Sequence, residues 1–388
     1  MEHFKKNLKL KENIALVLGG HINAYGIVRS LYGHCNIAIV ADSNAMVSVS
    51  KLIDTFIPYN KKSSIVKTIN DFAKQNNSKK IILFATADWH LDEICQSNLE
   101  QNVLWTSHQF NTSFNSKINQ YKLAKSAKVD FPETYSGTKK SIIENIKKIK
   151  DFTCVVKPES RDNRELTSKN YFRAKKFSCN SQLISFLNLK SEDDSFLVSE
   201  VIEADPREVW SCLCICSDGK IIAYWTGRKL SQSPWQFGVF ASSLAKWNKD
   251  VYESARRLVK EGNFTGIVQP EFKYCIKRNK YFLMEINFRY MMWHYAGKLA
   301  GVNIPYIDML NATNQKLTCK LNNRNQTVTS KIYTYNTLHL VNVIKGDHIY
   351  KNLILFFRYL LNPFVIHASY CTRDWKPFLK NTFGRLKK

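Results

Sequence analysis

Between residues 13 and 111, short apolar runs at 14–18, 36–40, 80–85 and 103–105 alternate with stretches of helical period. Strands separated by helices predict a parallel α/β lobe, because each crossover needs a dozen or more residues and a helix supplies them. Helical patterning returns at 117–127 and 141–149, and 153–158 and 196–203 read as strands. Apolar runs at 209–216 and 220–225, joined by Ser217-Asp218-Gly219, predict a β-hairpin, and 267–276 returning as 281–286 predicts a second. No internal repeat is present. Near the end, apolar runs at 353–357 and 359–361 precede Pro363. They are too short for a bilayer span of ~20 residues. A helix docked on the protein's own core is the expectation, in preference to an amphipathic helix on a membrane surface.

Gly19, Gly20 and Gly26 follow the first strand, but not at the GxGxxG spacing, so a dinucleotide fingerprint is excluded. Asp42 ends the second strand, where an acid serves as a turn or cap residue as readily as a ribose ligand. Lys+Arg of 57 against Asp+Glu of 32 gives a formal net charge of +25, which favours phosphates, nucleic acid or anionic lipid. The chain is rich in Lys, Asn and Ile throughout, so much of this charge is expected on solvated surface. No nucleic-acid-binding motif accompanies it, and no nucleic-acid partner is expected. The polar, lysine-rich start and the ten cysteines, which follow no finger or disulfide spacing, point to a cytoplasmic protein with reduced thiols. Cys212, Cys214 and Cys216 share one face of a strand and are expected in a core rather than on a metal.

The chemistry concentrates in 271–289. Glu285, Asn287 and Arg289 are spaced by two, so on one strand a carboxylate, an amide and a guanidinium share a face. A hairpin turning about Arg278 would set Glu271 opposite Glu285. Opposed carboxylates repel unless a cation neutralises them, and hard oxygen donors suit Mg2+. The pattern is equally that of an edge hairpin with a wet face.

The E-x-N-x-R strand with a glutamate on the preceding strand resembles the metal-binding strands of the ATP-grasp superfamily. Lys117, fifteen residues before Pro132, and Lys157 in Val-Val-Lys-Pro are similar to that family's two nucleotide lysines. The segment 200–208 resembles its hinge. This implies adenine recognition at Glu200, Val201 and Glu203, and ribose recognition at Glu208. Thr226-Gly-Arg-Lys-Leu-Ser-Gln232, with Pro234, Phe237 and Gly238, is similar to a segment of the ligases of surface polysaccharides and cell-wall amino acids. One departure stands out. The loop 159–176 has no glycine, so Arg161, Arg164, Lys169 and Arg173 would have to replace backbone amides at the phosphates.

The resemblance implies an α/β and α+β chain with the ATP-grasp fold: a Rossmann-like lobe at 1–111, a lid at 112–203, an antiparallel lobe at 204–345 and a basic, apolar tail at 346–388. It implies a ligase that uses ATP to turn a carboxylate into an acyl phosphate and hands it to an amine. Glu271, Glu285 and Asn287 would hold Mg2+, or Mn2+. Lys117, Lys157 and Lys229 would surround the phosphates, and Arg289 and Arg228 would hold the substrate carboxylate and the oxyanion. The expected partners are small carboxylates and amines, with a glycan or lipid-linked intermediate as a further candidate and contact with the inner membrane surface as the less favoured expectation. The alternative is a nucleotide-binding regulatory or assembly module that does not turn over.

Overall fold

The computed structural model describes residues 12–60, 62–147, 152–159, 172, 174–205, 207–233, 239–315, 331–344 and 348–386. The chain forms two compact units, one of residues 1–129, 205–272 and 285–388, the other of 130–204 and 273–284. Compactness therefore follows contacts more than chain order: the helix Lys117–Ser126 and the tail both belong to the larger unit.

In the larger unit, β1 (Ile14–Leu18), β2 (Asn36–Ala41), β3 (Thr55–Pro58), β4 (Ile81–Phe84) and β5 (Val103–Leu104) form a parallel sheet of order β3-β2-β1-β4-β5. Its strands are apolar throughout because both faces are covered. Ala15, Val17, Ile37, Ile39, Ile82 and Phe84 join one core, and Leu16, Leu18, Ala38, Val40, Ile81 and Leu83 join the other. The helix Ile22–Leu31 lies on the first face, and Ile65–Gln75, capped by Ser64, on the second. Gly26 serves packing rather than a phosphate: a Cβ there would come within 2.9 Å of His294 Cε1. Edge strand β3 carries no alternation that marks it in the sequence.

The smaller unit has its own core under an antiparallel sheet of order β6-β9-β7-β8. These are β6 (Thr134–Thr138), β7 (Cys154–Pro158), β8 (Lys175–Phe177) and β9 (Ser195–Glu200), backed by helices Lys139–Ile146 and Asn180–Asn188. Arg161, Arg164, Lys169 and Arg173 lie outside the described residues, as do Pro234, Phe237 and Gly238.

A seven-stranded sheet has the order β14-β13-β10-β11-β12-β15-β16. It comprises β10 (Val209–Ser217), β11 (Lys220–Ser233), β12 (Val239–Ala245), β13 (Gly266–Cys275), β14 (Lys280–Asn287), β15 (Ile332–Thr334) and β16 (Val365–His367). The first expected hairpin is β10–β11, and its turn residues Asp218 and Gly219 both have positive φ (46° and 71°), as the right-handed twist of a two-residue hairpin demands. Leu213 and Ile215 face the main core. Cys212, Cys214 and Cys216 alternate with them and are fully buried, beside Tyr252 of the helix Lys249–Glu261. No group of three or more His, Cys, Asp or Glu among the described residues could hold a metal ion by itself.

The tail helix Ile349–Leu360 docks on the protein, burying Asn352 and Tyr359 and half-burying Leu355 and Phe356, but Tyr350, Ile354, Phe357 and Leu361 stay exposed. Asn352 and Tyr359 are drawn inward by hydrogen bonds that the apolar pattern does not encode. The segment after it is anchored by buried Asp374, which accepts from Tyr25 Oη (3.0 Å), Ser50 Oγ (2.5 Å) and Lys51 N (3.0 Å).

Candidate active site

Strand β14 is the sheet edge, and its unpaired backbone is satisfied by a side chain. Gln120 Nε2 donates to Ile286 O (2.9 Å), and Gln120 Oε1 accepts from Ile286 N (2.8 Å). One amide thus replaces a missing strand between Glu285 and Asn287, and it fixes the helix Lys117–Ser126 against them. Ser116 caps that helix, so Lys117 opens its first turn, with Nζ 3.4 Å from Glu285 Oε2. Asn287 Nδ2 donates weakly to Glu285 Oε1 at 3.4 Å. Lys117 is thus brought to Glu285 and Asn287, which the sequence spacing had already set on one face. Gln120, which joins them, had no signal, since one glutamine in an exposed-looking helix is unremarkable.

On the same sheet, Lys229 Nζ of β11 reaches past β10 to Glu271 Oε2 of β13 at 2.7 Å, both side chains nearly excluded from water. The Gln269 amide nearby on β13 is buried, with neither polar atom hydrogen-bonded. Arg228 takes a different course. Consecutive strand residues face opposite ways, and Arg228 Nη1 donates to Glu208 Oε1 (3.0 Å), whose Oε2 accepts from Trp210 Nε1 (2.9 Å). The structure therefore groups Arg228 with Glu208 rather than with Lys229 and Glu271.

Arg289 emerges just past β14 and forks onto Asp88, Nε to Oδ1 at 2.7 Å and Nη2 to Oδ2 at 3.1 Å. Asp88 starts the helix Asp88–Ile94 after β4, and Tyr290 N donates to Ala85 O (3.2 Å) close by. A bidentate pair fixes the guanidinium plane, so the exit of the parallel sheet sets where Arg289 points. Asp88 was not read from the sequence.

In the smaller unit, Glu200 accepts from Glu133 N (3.0 Å) and from Arg278 Nη1 (3.0 Å). Burial raises its pKa, but the Arg278 and Glu133 hydrogen bonds outweigh this and hold the carboxyl below its usual range. Val201 N donates to Thr153 O (2.9 Å). Glu203 pairs with Lys277 in the open, and Lys157 sits half-buried on β7, opposite Leu197 of β9.

Two carboxylates and an amide are too few donors for a hard cation that takes six or more oxygens. They fit one whose remaining ligands are phosphate and water oxygens. The lysine held on each carboxylate accords with such a shared site.

No family model matches the chain. A D-aspartate ligase from Enterococcus faecium (strain Aus0004) is 21% identical over an alignment of 346 residues that covers 80% of this chain and 82% of that protein. Among solved structures, the ADP complex of purK, an N5-carboxyaminoimidazole ribonucleotide synthetase, superposes with a TM-score of 0.60 at 12% identity, covering 87% of each chain. The biotin carboxylase domain of the Hydrogenobacter thermophilus 2-oxoglutarate carboxylase gives 0.59 at 14% identity, over 79% of this chain and 71% of that one. The L-amino acid ligase from Bacillus licheniformis gives 0.56 at 10%, over 77% and 74%. The chain has the ATP-grasp fold, and the proteins it is similar to include a D-aspartate ligase and an L-amino acid ligase.

Proposed function

We propose that this protein is an ADP-forming ligase that joins a carboxylate to an amine through an acyl phosphate. The observation that carries the reading is the assembly, within one compact unit, of Lys117 on Glu285, Asn287 beside them and Lys229 on Glu271. In this reading a carboxylate oxygen of the substrate attacks the γ-phosphorus of ATP, and the bond to the β-phosphate oxygen breaks to release ADP. The amine then attacks the acyl carbon and loses a proton, and collapse of the tetrahedral adduct expels phosphate.

Lys117 and Lys229 place positive charge at the phosphates, and Lys157 is assigned the same task. Glu200, Val201 and Glu203 are assigned to adenine and Glu208 to ribose. Mg2+ or Mn2+ held by Glu271, Glu285 and Asn287 supplies charge neutralisation at the phosphate oxygens. Arg289, fixed by Asp88, holds the substrate carboxylate and stabilises the oxyanion, and the same task is assigned to Arg228, which the structure pairs with Glu208. The buried Gln269 amide offers a donor and an acceptor to a polar substrate.

The similarity to a D-aspartate ligase supports an amino acid as one substrate. The 226–238 pattern supports a carboxylate or amine carried on a surface polysaccharide or cell-wall intermediate, modified from the cytoplasmic side. The ligase and synthetase names of the relatives give no support to a non-catalytic module.

The test supplies ATP and Mg2+ with amino acids paired against uronic acids and peptide carboxylates. ADP and phosphate should appear only when both partners are present, and 18O in the carboxylate should pass to phosphate. AMP and pyrophosphate would sink the acyl-phosphate route.

A further inference from the structure

The helix Ile349–Leu360 leaves an apolar stripe in water. Its two buried side chains carry polar groups, Asn352 at 6% exposed and Tyr359 at 4%, with Leu355 and Phe356 half-buried between them. Its outer side is apolar, with Tyr350 85% exposed, Ile354 66%, Phe357 52% and the following Leu361 78%. At 100° per residue these four fall on one stripe, and Lys351 and Arg358 lie together along one flank of it.

The orientation is enforced. Tyr359 Oη is hydrogen-bonded to Ser242 Oγ (2.9 Å), and Ser242 to Ser231 Oγ (2.5 Å). His339 bridges Ser231 (3.2 Å) and the Asn352 carbonyl (2.9 Å), and burial lowers its pKa, which keeps it neutral. Turning the helix to hide its apolar stripe would strip this buried network of partners, and satisfied networks of this kind specify a single arrangement.

Charge indicates what covers the stripe. From residue 348 to 386 the only acid is Asp374, which is buried, against six Lys and Arg; the whole chain carries +25. A second copy of so basic a chain is repelled, whereas an anionic surface is attracted. Basic residues beside an apolar stripe keep their charges at headgroup level while their stems lie on the apolar boundary.

We propose that the Ile349–Leu360 helix lies in the plane of an anionic lipid bilayer, with Tyr350, Ile354, Phe357 and Leu361 at the acyl boundary and Lys351 and Arg358 among the headgroups. A twelve-residue helix lying flat adds no span, and no described helix is long and apolar enough to cross a membrane.

Full-length protein sedimented with phosphatidylglycerol-containing vesicles should partition onto them, and onto neutral phosphatidylcholine vesicles at least tenfold less. Raising salt from 0.05 to 0.5 M should weaken the binding. Ile354→Glu with Phe357→Glu should abolish it while the urea midpoint holds, since both side chains already face water. Arg358→Ala should weaken it about fivefold, as one cation near an anionic surface contributes. Failure of the wild-type chain to bind anionic vesicles, or full binding by the double variant, overturns the proposal. So does a wild-type dimer that the double variant dissociates without any vesicle binding, because the stripe would then be a contact between copies. None of these readouts depends on turnover.

Discussion

Both compact units pair acids with bases, yet in different surroundings. In the larger unit, Lys229 and Glu271 meet at 2.7 Å with side chains only 7% and 12% exposed. In the smaller one, Lys277 and Glu203 meet at 77% and 62% exposure, where water screens them. A buried pair is poor value as a stabilising device, because desolvation offsets much of the attraction. In the proposed reading, the buried pair and the nearby Gln269 amide hold charge and polarity for the phosphates of ATP. An exposed pair implies no such purpose.

The largest expected effect breaks the functional half of this contrast. Glu285→Gln should lower substrate-dependent ADP release by about 1,000-fold while nucleotide affinity by titration changes only a few-fold, since charge is lost at the phosphates rather than at adenine. Retained turnover would show that the strand is an edge hairpin with a wet face.

Lys229→Met should cost about 3 kcal/mol in urea unfolding, because it strands the Glu271 carboxylate in a poorly hydrated place. Adding Glu271→Gln should restore part of that loss. A neutral single variant would mean that water reaches the pair.

Acids in the two units should also respond to pH with opposite signs. Burial raises the Asp308 pKa from 3.8 to about 6, although Tyr290 Oη donates to it at 2.7 Å. The folded state then holds the proton more tightly than the unfolded chain, so this group's contribution to stability falls as pH rises from about 4 to about 6, by up to ~3 kcal/mol. Asp308→Asn should remove that fall, as measured by urea midpoints across the window. Glu200, held low by Arg278 and the Glu133 amide, contributes stability that is present above its unfolded pKa and lost on acidification. An unchanged pH profile in Asp308→Asn would mean that the carboxyl is solvated.

The smallest effect sharpens the other half. Lys277→Ala should leave the urea midpoint within experimental error, and a clear drop would show that the smaller unit depends on the pair more than its exposure implies.

Most of the architecture was legible because it is written locally. Continuous apolar runs along 14–18, 36–40 and 81–84 mark strands covered on both faces, and Asp218-Gly219 marks a tight turn. The spacing of Glu285 and Asn287 sets a carboxylate and an amide on one face of β14 by covalent geometry alone, hairpin pairing singled out Glu271, and Lys117 and Lys229 were singled out by similarity of order and spacing, whereas Arg289 lies past the end of the strand. Edge strand β3 escaped notice because a strand of four residues with half-exposed faces has no period to read.

The sequence by itself therefore determined which residue types lie along each strand and at each turn, since the direction of a side chain follows from the backbone period. The tertiary structure decided what those side chains meet. Gln120 finds Ile286 across 166 residues and Asp88 finds Arg289 across 201, and no local rule connects positions so far apart. It also decided which side of the Ile349–Leu360 helix faces inward. The apolar period predicts burial of the stripe, but the hydrogen bonds waiting at Ser242 and His339 draw in Tyr359 and Asn352 instead, because a buried polar group left without a partner costs more than an apolar side chain left in water.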